Sequence, residues 1–75
     1  MNNVEHPDHY NQNSLETLDV IKGTMSGEQF EGFLVGNILK YISRYKFKNG
    51  AEDLKKARFY LDKLIDVTEV KQEEE

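Results

Sequence analysis

The sequence predicts a small all-α domain: a long antiparallel helix hairpin with a short first helix and an N-terminal arm, assembled as an oligomer. Three observations carry this. Apolar residues recur at steps of three and four through two long segments, an Asn49-Gly50 pair falls between them, and no stretch alternates with the two-residue period of a strand.

Residues 1–13 are polar and show no apolar period, so the run His6-Pro7-Asp8-His9-Tyr10-Asn11 reads as an arm. Leu15, Leu18, Val20 and Ile21 then predict a short helix, broken near Gly23 and Gly27. Ser26 and Gln29 stand three apart, the spacing at which each side chain satisfies a free backbone donor at a helix start. A long helix should follow. Phe30, Phe33, Leu34, Asn37, Ile38, Tyr41, Ile42 and Tyr45 fall on one stripe of it, and Asn49 and Gly50 end it, glycine tolerating the left-handed conformation found just past a helix C-terminus. Glu52 and Asp53 suit the start of a third helix, where carboxylates complement the macrodipole. Leu54, Ala57, Leu61, Leu64 and Ile65 predict a single apolar face on it. This helix should fray toward Lys71. The organisation expected is an arm at 1–13, a helical domain at 14–70 and a solvated acidic tail at 71–75.

A chain of 75 residues buries only about 60% of the surface its unfolded form exposes. Natural domains this small add disulfides, a metal or subunit contacts. Cysteine is absent, and the two histidines, His6 and His9, have no thiol partners, so no metal site is expected and a homo-oligomer is. Glu16, Asp19, Glu52 and Asp53 show no metal-ligand spacing. No apolar run approaches the roughly 20 residues that span a bilayer, and the first residues lack a basic-then-apolar pattern. The protein is therefore expected in the cytoplasm, without membrane contact.

The net charge of -4 conceals a segregation. Lys40, Arg44, Lys46, Lys48, Lys55, Lys56 and Arg58 face only Glu52 and Asp53 within their stretch, while the rest of the chain is strongly acidic. An acidic exterior disfavours duplex nucleic acid, whose binding rests on phosphate neutralisation over a long track. A compact anion such as a nucleotide fits the patch better. Asn37, Lys40, Tyr41 and Arg44 lie on adjoining positions of one helical surface, with Lys56 on the next helix, and arginine suits bidentate phosphate contact. The other reading of these residues is a solvated basic face.

Gly32 and Gly36 sit inside the long helix, where each costs roughly 1 kcal/mol relative to alanine. Close packing within or between subunits, or approach of a base or sugar beside Asn37, would offset that cost. Tyr10, Tyr41, Tyr45 and Tyr60 read as core residues with hydroxyls at the rim, or in one case as a ring stacked on a base. Neither a Walker glycine loop, a dinucleotide fingerprint nor a nucleophile with a paired base is present.

Three motifs in order, His6-Pro7-Asp8-His9-Tyr10, then Gly36-Asn37 with Lys40-Tyr41 and Arg44, then Glu52-Asp53-Leu54-Lys55-Lys56-Ala57 with Tyr60-Leu61, resemble the SaV-like family of small bacteriophage proteins. That family is related to a domain of a podophage nucleotide kinase that lacks a Walker motif and phosphorylates deoxynucleoside monophosphates as a large oligomer. The resemblance implies a phage origin, assembly, and nucleotide contact by His6, Tyr10, Asn37, Lys40, Arg44 and Lys56. Two functional classes follow. One is a nucleotide-binding protein, with or without a monophosphate kinase activity, in which Mg²⁺ would arrive with the donor nucleotide and Lys40 and Arg44 would neutralise the transferring phosphoryl group. The other is a non-enzymatic phage inhibitor that binds a host protein or sequesters a nucleotide signal.

Overall fold

The computed structural model describes residues 14–74, and all of its regular structure is helical: α1 (Ser14–Thr24), α2 (Gly27–Arg44), a 3-10 turn (Tyr45–Phe47) and α3 (Ala51–Glu74). The all-α architecture expected from the sequence is what folds. The chain divides into two compact units, with the break after Phe30.

In the first unit, Leu18 and Phe30 are buried. The start of α2 is fixed as its sequence requires. Gln29 N donates to Ser26 Oγ at 3.1 Å and Ser26 N donates to Gln29 Oε1 at 2.9 Å, a complete reciprocal capping box. Two of the orphan donors at the helix start are thereby satisfied.

The second unit is the hairpin. Its two helices run antiparallel, as three pairs along their length show: Glu31 with Lys71, Tyr41 with Tyr60, and Arg44 with Asp53. The reversal is tight. Gly50 takes φ +58, the left-handed conformation that closes a helix end, and its N–H donates to the Tyr45 carbonyl at 2.7 Å. α2 itself ends earlier than the Asn49-Gly50 signal suggested, because the 3-10 turn absorbs Tyr45–Phe47 before the reversal. α3 continues as helix through Glu74, and the side chains of 71–73 are exposed.

The buried register of α3 differs from the expected one. Asp53 and Ala57 are buried and Tyr60 and Leu64 half-buried, whereas Leu54, Leu61 and Ile65 are exposed. On α2, Leu34 and Tyr41 are buried while Ile42 is exposed. The single apolar face read from the sequence is therefore split on both helices. One side of the split meets the partner helix, and the other opens to solvent.

Geometry places the open residues together. One residue turns an α-helix by about 100°, and antiparallel helices turn in opposite senses when viewed from one end. Val35 and Ile42 follow the inward Leu34 and Tyr41 by one residue, as Leu54, Leu61 and Ile65 follow Asp53, Tyr60 and Leu64. Both sets thus emerge on the same side of the hairpin, with Leu39, 61% exposed, at its margin. Lys40 and Lys56 precede the inward Tyr41 and Ala57 by one residue, which puts them on the opposite side.

Gly32 and Gly36 are exposed, and a methyl group added to either would meet nothing within 4 Å among the described residues. Close packing against the described residues is therefore not what offsets their cost to α2.

Candidate functional site

The site begins with one aromatic pair. Tyr41 of α2 is 8% exposed, and its ring stacks on that of Tyr60 of α3, with centroids 6.0 Å apart and planes 11° apart. Tyr60 is steadied in turn by edge contacts from Phe33 at 6.3 Å and Phe59 at 5.1 Å. A rigid aromatic platform spans the two helices.

Three cations gather around the Tyr41 ring. Lys40 Nζ lies 4.7 Å from its centroid, Arg44 Cζ 5.1 Å and Lys56 Nζ 5.6 Å. Each is within the range at which the negative face of an aromatic ring attracts a cation. The sequence brought Lys40, Tyr41, Arg44 and Lys56 forward as a group, and the structure does bring all four together.

Arg44 is the most constrained of the three. Its Nε donates to Asp53 Oδ2 at 3.1 Å and its Nη2 to Asp53 Oδ1 at 3.4 Å. Asn49 completes the cluster from the turn: its backbone N–H donates to Oδ2 at 3.3 Å and its Nδ2 to Oδ1 at 3.1 Å. Asp53 is 0% exposed, the one buried charged residue of the described chain. Burial pushes its carboxyl upward, but the hydrogen bonds from Arg44 and Asn49, with the charge of Arg44, more than reverse this, so Asp53 ionises below its usual range. Sequence reasoning assigned Asp53 to the helix macrodipole only. Its neighbour Glu52 is exposed and fits that role alone. The signal that distinguishes them is register: Asp53 occupies the same inward row as Ala57, Tyr60 and Leu64.

Asn37 is half-buried on the same side of α2, and its Nδ2 donates to the Phe33 carbonyl at 2.9 Å. That bond ties one of the two N–H groups of the amide to its own helix. His6 and Tyr10, the arm residues of the expected site, lie outside the described residues. Among the described residues no three His, Asp or Glu side chains are grouped to hold a metal ion, and no helix is long and apolar enough to cross a membrane.

The hairpin thus carries Lys40 and Lys56 on one side and the exposed Val35, Ile42, Leu54, Leu61 and Ile65 on the other. The chain belongs to the family described as a protein of unknown function, DUF3310, whose model matches residues 4–62. It is 44% identical over 62 residues to the Gene 1.7 protein of Enterobacteria phage T3, covering 76% of this chain and 38% of that protein. It is 42% identical over 62 residues to the Nucleotide kinase gp1.7 of Escherichia phage T7, covering 76% of this chain and 32% of that protein. The kinship with a podophage nucleotide kinase expected from the three motifs is thus shown. The chain itself spans only about a third of the length of these relatives. No solved structure matches.

Proposed function

We propose that the basic side of the hairpin binds the phosphate of a nucleotide, with Lys40, Arg44 and Lys56 on the phosphate oxygens and Tyr41 as the ring that gathers them. Asn37 meets the base or sugar through its amide oxygen, beside the bare backbone of Gly36. The family resemblance alone adds His6 and Tyr10, which lie outside the described residues. The observation that carries this reading is the convergence of three cationic groups from two helices on one ring. The name of the T7 relative, a nucleotide kinase, supports the ligand class.

The test is calorimetric titration with deoxynucleoside monophosphates and orthophosphate. Reversing two of the three charges, Lys40→Glu with Lys56→Glu, should lower affinity by at least about 100-fold, since each hydrogen bond to a charged group contributes about 1.5 to 3 kcal/mol. A wild-type protein that titrates with none of these ligands removes the reading. Incubation with ATP, Mg²⁺ and each monophosphate asks the further question of transfer, and a diphosphate product would extend binding to catalysis. In transfer to a monophosphate the acceptor phosphate is the nucleophile, so the protein's part would be positioning and charge neutralisation.

The apolar side of the hairpin serves, on this reading, for contact between copies of the chain. Val35, Leu39, Ile42, Leu54, Leu61 and Ile65 form a patch on the order of 500 Å², within the range of the largest apolar patch on a typical monomer, which is often functional. Two copies paired through it would bury about 1,000 Å² from these side chains alone, near the threshold of a specific contact. A domain of this size gains from such pairing. Leu61→Glu should shift the sedimenting species to the mass of one chain. A wild-type protein that already sediments as one chain and ignores nucleotides would instead favour a phage inhibitor that uses this side on a host protein.

A further inference from the structure

Arg44 has one feature that phosphate binding alone does not explain. It is held by a carboxylate that water does not reach. We infer that Asp53 is a positioning residue of the site: it fixes the guanidinium of Arg44 so that one end of it is presented to the anion held by Lys40 and Lys56. The inference rests on the phosphate-binding reading and adds to it the part that sets the geometry.

Asp53 takes Arg44 by the Nε and Nη2 edge, at 3.1 and 3.4 Å. A guanidinium is planar and rigid, so holding that edge turns Nη1 away from the carboxylate. The side chain of Arg44 is 30% exposed while that of Asp53 is 0% exposed, so the pair is anchored in the hairpin and opens outward at the arginine. The anchor is itself anchored. Asn49 holds both carboxylate oxygens from the turn, through its backbone N–H and its Nδ2, and the backbone N–H of Asp53 donates to the Gly50 carbonyl at 3.0 Å. Four donors on two oxygens leave the carboxylate a single orientation, and the arginine it holds inherits that orientation. An arginine fixed before the ligand arrives loses less conformational freedom on binding than one that must be ordered by it.

The experiment is a double-mutant cycle on orthophosphate and deoxynucleoside monophosphate affinity in the full chain, using Asp53→Asn and Arg44→Gln. Asparagine keeps the shape of the side chain and one acceptor, and thermal melts confirm that each variant folds. Asp53→Asn should weaken binding about tenfold when Arg44 is present and less than about twofold when it is glutamine, the non-additivity expected of residues acting through one another. Equal losses in both backgrounds, or no loss in either, overturn the positioning role while leaving the phosphate site standing. A wild-type protein that binds neither ligand overturns the site and the positioning role together, and the wild-type titration separates these cases. Should Asp53→Asn fail to fold, nitrogen-15 NMR of the wild type decides. The Nε–H of Arg44 should give a slowly exchanging resonance before ligand is added and shift on addition of orthophosphate. A resonance that emerges only with ligand present contradicts a preset arginine.

Discussion

Replacing Asp53 with alanine is expected to lower the thermal midpoint of the hairpin by on the order of 10 °C or more, read as loss of helical dichroism on heating. The alanine would remove the acceptor of four hydrogen bonds at once, from Arg44 Nε and Nη2 and from Asn49 N and Nδ2. Breaking a buried ion pair from one side is costly because the remaining charge keeps its desolvation and loses its compensation. Here the remaining partners are a guanidinium and the turn that joins the two helices, so the damage falls where the hairpin reverses. Glu52→Ala, one residue away but exposed, is the control, and its midpoint should move by no more than about 2 °C. If Asp53→Ala melts as close to wild type as that, the cluster does not hold the reversal. The same group sets an acid limit. Its folded-state value lies below the ordinary 3.8, so the stability it contributes is fully present above that pH and is lost as the pH falls through the depressed folded value. The gap between wild type and Asp53→Asn should therefore be constant at neutral pH and close only on strong acidification.

Local signals in the sequence led to correct local structure. Ser26 and Gln29 formed the box their spacing promised, and Gly50 took the positive φ that an Asn-Gly reversal demands. Periodicity was less decisive, for a physical reason. A helix with apolar residues at 54, 57, 61, 64 and 65 has an apolar stripe wide enough to serve two contacts, and spacing alone does not say which edge faces the partner helix. The choice is made by residues the stripe leaves out. Tyr60 stacks on Tyr41 and Asp53 pairs with Arg44, and these two contacts rotate α3 so that Leu54, Leu61 and Ile65 turn outward. The basic group was legible because charge segregation and helical spacing both point to it. Its organising centre was not, since a buried carboxylate looks in sequence like any acidic residue in the first turn of a helix.

Tyr41→Ala is expected to be the most damaging aromatic substitution in the hairpin, because it removes both a core side chain and the centre of the cation cluster. The ring is 8% exposed and stacked on Tyr60, and truncation of large buried aromatic residues costs about 3 to 5 kcal/mol. Tyr41→Leu separates the two roles. Leucine keeps much of the buried apolar volume but has no negative ring face, so it should cost less than alanine, with a residual loss of about 0.5 to 1 kcal/mol or more for each cation that the ring attracts. Chemical denaturation gives the stability of both variants, and titration with orthophosphate reads the second role directly. With leucine at the centre, Lys40 and Lys56 lose the attraction that draws them to one point, while Arg44 stays fixed by Asp53. Affinity should then fall even though every cation is still present in the chain. A leucine variant that is as stable as wild type and binds orthophosphate equally well would mean that the three charges converge for reasons of helix geometry alone, and that the tyrosine is a core residue which happens to lie beneath them.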